Sequence, residues 1–105
     1  MRITVCLVAI LIGSGEARAD DGIDSCKMYE DMAGSIMWER QKGMAVSQQL
    51  ATYADYDGPM KQTWEWMVLE AYDRPVERTA EAGEQAAREF ASWVFMACLR
   101  QYRSQ

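Results

Sequence analysis

The sequence predicts an all-α protein, a small bundle of about four helices whose first and last helices are joined by a disulfide. Three observations carry this. Apolar residues recur at three- and four-residue spacing in four segments. No segment keeps up period-two alternation and no Asn-Gly turn occurs, the 105 residues containing no asparagine at all. Outside the apolar N-terminus there are two cysteines, Cys26 near the start of the first periodic segment and Cys98 near the end of the last.

The N-terminus sets the compartment. Arg2 precedes an apolar run from Ile3 to Ile12, and small and polar residues follow, ending in Ala17-Arg18-Ala19. This is the layout of a secretory signal peptide cleaved between Ala19 and Asp20. The alternative is a membrane anchor, but a span needs about 20 apolar residues. The run has about half that and is closed by Gly13, Gly15 and Glu16. The expected division is therefore a signal peptide over residues 1–19 and a single helical domain over residues 20–105, periplasmic or secreted, with no membrane attachment after cleavage. Cys6 leaves with the signal.

Arg2, Arg18 and Glu16 leave too, so the net charge moves from -5 to about -6. Such an acidic chain has no footprint for nucleic acid and no basic face for an anionic membrane. Cys26 and Cys98 then have one possible pairing, in a compartment where disulfides persist. Closing so long a loop contributes roughly 4 kcal/mol in the chain-entropy model. A domain of this size buries only about 60–65 % of its unfolded surface, so that contribution matters. A reactive or metal-binding thiol is the other reading of Cys26, and it finds no histidine anywhere in the chain to serve it.

The first helix is expected from about Ser25 to Lys42. Asp24 or Ser25 can cap it, Glu30 and Asp31 suit its positive end, and Gly43 follows as a stop. Its core face reads Cys26, Tyr29, Ala33, Ile36, Met37 and Arg40. Arg40 extends the apolar stripe, either to pair with Glu70 or Glu89 or to run its stem along the core and its head into water. A shorter helix follows from about Ala45 to Tyr56, with Val46, Leu50, Tyr53 and Ala54 on one stripe. Asp57-Gly58-Pro59 ends it, and Pro59 opens a third helix to Tyr72 that groups Met60, Trp64, Met67, Val68 and Ala71. Pro75 terminates that helix by steering the preceding residue out of helical geometry. The last helix begins at or after Thr79 and runs to about Arg103. Its middle, "FASWVFMAC", is apolar almost all round and predicts a central helix packed on more than one side.

The helix starting at Cys26, the "RQKG" of Arg40 to Gly43, "EAYDRP" at Glu70 to Pro75 and "FASWVFMAC" ending in Cys98 together resemble a group of small uncharacterised exported proteins of proteobacteria and their phages. The resemblance covers nearly the whole mature chain. It implies an exported helical fold with one cysteine pair and brings no activity with it.

The absence of histidine removes the usual general base, proton shuttle and transition-metal ligand. A carboxylate-only mechanism would need a pair such as Glu39, Glu65, Glu70 or Glu89 in one cleft, against the ordinary reading of a solvated acidic face. Met28 and Met32, four apart, could share copper(I), with Met44 as a further soft ligand. Methionine is otherwise a core filler or an adaptable binding residue. Trp64 and Trp93 fall on or beside core faces. Trp38 projects about 160° from the centre of its stripe and Trp66 lies roughly opposite Trp64. Two large aromatics off the core faces point to a contact surface, unless another helix, the N-terminal tail or a second copy covers them.

The expectation is therefore a non-enzymatic exported protein that needs no cofactor or metal and acts through contacts with a protein partner. Trp38, Trp66, Met28, Met32 and Leu69 would form the binding surface, and Cys26 and Cys98 the structural bridge. Two alternatives are an acid-activated periplasmic chaperone, whose carboxylates would protonate and loosen the bundle, and a copper carrier.

Overall fold

The computed structural model describes the backbone of residues 2–104 and the side chains of residues 22–104. The described residues form four helices: α1 (Arg2–Gln41), α2 (Val46–Thr52), α3 (Gly58–Tyr72) and α4 (Ala80–Arg103). The first and last are joined by the Cys26–Cys98 disulfide, their Cα atoms 5.7 Å apart. The expected all-α bundle with that pairing is what forms.

α1 does not begin at Ser25. It runs without interruption from Arg2, and Asp24 and Ser25 are exposed interior residues that cap nothing. Gly13, Gly15 and Gly22 each weaken a helix by about 1 kcal/mol relative to alanine, but no proline stands between Arg2 and Gln41 to break it. The side chains of the expected signal segment lie outside the described residues. The far end of α1 closes as the sequence suggests: Gly43 takes φ 97°. Its N–H donates to the Arg40 carbonyl and that of Met44 to the Glu39 carbonyl, both at 3.0 Å. That pair of bonds is the Schellman motif, and glycine supplies its left-handed residue.

α2 is shorter than expected, and of its predicted stripe Leu50 and Tyr53 pack against the core. Ala45 offers no capping oxygen, although the Gln48 side chain accepts from its N–H at 3.1 Å. Past Thr52 the chain turns through i to i−3 bonds, because the rings of Tyr53 and Tyr56 stack on Trp64 at 4.7 and 5.8 Å. Val46 and Ala54, expected inside, are exposed. The buried residue is Gln49, whose amide donates to the Ile36 carbonyl at 2.9 Å. α3 buries Trp64, Met67, Val68 and Ala71 as its stripe predicts. Met60, on the same stripe, stays 41 % exposed, since the space beside Trp64 is filled by the two tyrosine rings.

Arg40 takes neither of its expected roles. Its Nε and Nη2 donate to the Arg74 carbonyl at 3.3 and 3.1 Å, closing the end of α3, and its guanidinium lies 4.9 Å from the Tyr72 ring centre. Beside it Gln41 donates to the Pro75 carbonyl and accepts from the Glu77 N–H, so the end of α1 holds the connection between α3 and α4. Thr79 caps α4 by accepting from the Ala82 N–H at 3.1 Å. Burial raises the Tyr72 hydroxyl above its ordinary value, opposed by Gln49 and Arg40. That hydroxyl donates to the Met44 carbonyl at 2.7 Å.

α4 runs antiparallel along α1. Small residues let the two approach: Gly34 sits under Ala87 and Ala91, Gly83 against Gln41, and Gly22 under the Tyr102 ring. The core gathers Ala33, Ile36 and Met37 of α1, Trp64, Met67, Val68 and Ala71 of α3, and Phe90 and Val94 of α4. α4 packs on α1 and, through Phe90, Val94 and Trp93, on α3. With α2 only seven residues long, no element among the described residues covers the outer side of α4. Part of "FASWVFMAC" therefore faces solvent, where the sequence predicts a covered helix.

Candidate protein-contact surface

The uncovered side of α4 meets the outer side of α3 in one continuous apolar strip. Leu69 is 55 % exposed, Trp66 39 %, Trp93 38 % and Met96 49 %. Leu69 follows Trp66 by three positions on α3, and Met96 follows Trp93 by three on α4, so each pair shares a helix face. Between the helices the Trp66 and Trp93 rings stack, centres 5.5 Å apart and planes 23° from parallel. Scattered exposed apolar residues are ordinary, but a contiguous strip built around paired tryptophans is the composition of an interaction site.

The strip is held rigid from beneath. Trp93 packs against buried Phe90 at 6.0 Å. The Arg74 guanidinium lies 4.7 Å from the centres of both those rings. Arg74 in turn donates to the Glu70 carbonyl at 2.7 Å and faces its carboxylate at 3.8 Å. Cation–ring contacts of this partly exposed kind contribute about 1 kcal/mol each and fix ring orientation. Trp66 also borders a groove of about 690 Å³ that runs between α3 and α4 toward the disulfide, with Tyr29, Val94, Ala97 and Cys98 along it. Among the described residues no Asp, Glu, Lys or Arg lines that groove.

Of the residues singled out from sequence, Trp66 and Leu69 come together in the strip. Trp38 lies elsewhere, half-buried in a shallow groove of about 550 Å³ between α1 and α4, beside Asp31, Gly34, Arg88 and Ala91. The Lys42 amino group stands 5.6 Å from its ring centre. The Trp38 and Trp66 grooves share no residue. Met28 is 43 % exposed on α1, while Met32 is half-buried and packs against the core. Sequence reasoning missed Trp93 and Met96. A usable signal was present: the disulfide turns Cys98 toward α1, and at 100° per residue Met96 lies about 160° round the helix from it.

The carboxylates considered for chemistry are dispersed. Glu39 pairs with Lys42 at 3.3 Å, Glu70 with Arg74, and Glu89 accepts from Gln85 at 3.2 Å. None of these, nor Glu65, lines either groove. Among the described residues no three of Cys, Asp and Glu gather in a way that could hold a metal ion. Among the same residues no helix is long and apolar enough to cross a membrane. Compared with known proteins, the chain matches no protein-family model, no curated protein and no solved structure.

Proposed function

We propose that this protein is exported with loss of residues 1–19 and works in the periplasm or outside the cell as a non-enzymatic binding protein. It engages a protein partner through Leu69, Trp66, Trp93 and Met96. The observation that carries the reading is the exposed Trp66–Trp93 stack, continuous with Leu69 and Met96 and braced by Arg74. Large aromatics held in one orientation lose little side-chain freedom on binding, and so contribute strongly to an interface. The Cys26–Cys98 bridge suits an oxidising compartment. The acidic surface disfavours nucleic acid and anionic lipid alike.

The test is capture of partners from periplasmic extract by the oxidised protein. Changing Trp66 and Leu69 to alanine together should leave the helical circular-dichroism spectrum unchanged and abolish capture, while Trp38→Ala, on a separate groove, should retain it. Capture that survives the Trp66/Leu69 change sinks the assignment of this face.

A further inference from the structure

The charges bordering the strip say what kind of partner it takes. Glu65 and Asp73 stand one helical turn to either side of Leu69, and Glu70 stands one turn beyond Trp66. On α4, Glu89 precedes Trp93 by one turn and Arg100 follows Met96 by one turn. Arg74 is committed to Glu70 and to the Phe90 and Trp93 rings. Lys61 stands one turn before Glu65, so the border is acidic at its Asp73 and Glu89 end and mixed toward Lys61 and Arg100. Asp73 also closes the C-terminal end of α3, where the helix dipole adds negative potential.

We propose that this strip is the docking site of a basic, amphipathic helical segment of a partner protein, an inference that rests on reading the strip as a protein-contact surface. An apolar stripe at positions i, i+3 or i+4, and i+7 would lie across Leu69, Trp66, Trp93 and Met96. The uncharged groove beside Trp66 receives an apolar side chain. Lysines or arginines flanking that stripe meet Glu65, Asp73 and Glu89. Met96 supplies the adaptable contact that thioethers make with helices of varied sequence.

A second copy of this chain fits worse. Two such faces would each bring Glu65, Asp73 and Glu89 to the contact, and each molecule carries a net charge of -5, so the two copies repel overall. An extended strand has nothing to pair with, because the strip is carried by two helices whose backbone groups are bonded internally.

The experiment titrates the oxidised protein, followed by tryptophan fluorescence, with a designed leucine–lysine amphipathic helix of about five turns. A leucine–glutamate peptide with the same apolar face is the comparison. The lysine peptide should bind at least tenfold tighter and weaken about tenfold between 0.05 and 0.3 M salt, as contacts between exposed charges do. Leu69→Asp should weaken it tenfold or more. Glu65→Gln with Asp73→Asn should weaken it several-fold and flatten the salt dependence, and Trp38→Ala should change nothing.

Equal binding of the two peptides, or lysine-peptide binding indifferent to Leu69→Asp, overturns the proposal. So does self-association in sedimentation that Leu69→Asp abolishes, which would give the face to a second copy. If neither peptide binds while capture from extract is still lost in the Trp66/Leu69 variant, the basic partner falls and the protein-contact surface stands.

Discussion

Removing the Cys26–Cys98 bridge should cost this fold a large share of its stability. The two cysteines are 72 positions apart, so the bond withholds from the unfolded chain about 15 cal/mol/K of loop entropy, about 4.4 kcal/mol at 25 °C. A domain of this length has about 4–13 kcal/mol in all. The perturbation is Cys26→Ala with Cys98→Ala, alanine being chosen because Cys26 is fully buried and serine would leave a hydroxyl inside. Mild chemical reduction of the unmutated protein serves as the companion.

The readout is urea unfolding by circular dichroism. At about 1 kcal/mol/M for a small domain, the midpoint should fall by about 4 M or the protein should be unfolded outright, and the slope should rise as the open chain exposes more surface. Loss of less than about 1 kcal/mol would refute the reasoning. It would mean that the unfolded chain already keeps α1 and α4 together, so that the bridge has little entropy to withhold.

Phe90→Ala should cost about 3–5 kcal/mol in the same assay, since Phe90 is 1 % exposed in the core and also supports Arg74 and Trp93; a loss under about 1.5 kcal/mol would show the site collapsing around the cavity. Gly22→Ala would normally strengthen a helix by about 1 kcal/mol. Here a Cβ would stand 2.5 Å from the Tyr102 ring, so the change should be neutral or destabilising and become stabilising only when combined with Tyr102→Ala. The Tyr53 hydroxyl is raised above its ordinary value by burial, then by Tyr56 and Glu39, and the Tyr72 hydroxyl by burial. The unfolded chain loses these protons first, so stability is whole below about pH 10 and falls as pH rises through the folded values. The drop in melting temperature between about pH 9 and pH 11 should be smaller in a Tyr53→Phe, Tyr72→Phe variant, and an equal drop would contradict the assignment.

How far these elements are legible without coordinates follows from what each depends on. The stops at Gly43 and Pro75, the start at Pro59 and the cap at Thr79 are local backbone chemistry, and the helices end or begin within three residues of them. The start of the first packed helix was not legible. A capping residue acts only where the preceding chain leaves helical geometry, and nothing before Asp24 makes it do so. Arg40 stands out of place on its stripe, but its acceptor is a backbone carbonyl, 34 positions away, that no pattern of side chains announces. Gln49, a polar residue on a short helix, reads as solvated until a carbonyl of α1 stands opposite it.

The candidate surface divides in the same way. Trp66 and Leu69 stand off the core face of α3, and periodicity alone says so. Trp93 and Met96 belong to a helix that is apolar almost all round, and such a pattern names no outer side. The helical class, the four segments, their order and the only cysteine pairing open to the chain outside its apolar N-terminus all follow from residue pattern alone. The tertiary structure decided which apolar side chains stay uncovered, because coverage depends on how many neighbours a helix has. α2 is too short to reach over the outer side of α3 and α4, so among the described residues Trp93 stacks on Trp66 in the open and Met96 faces solvent.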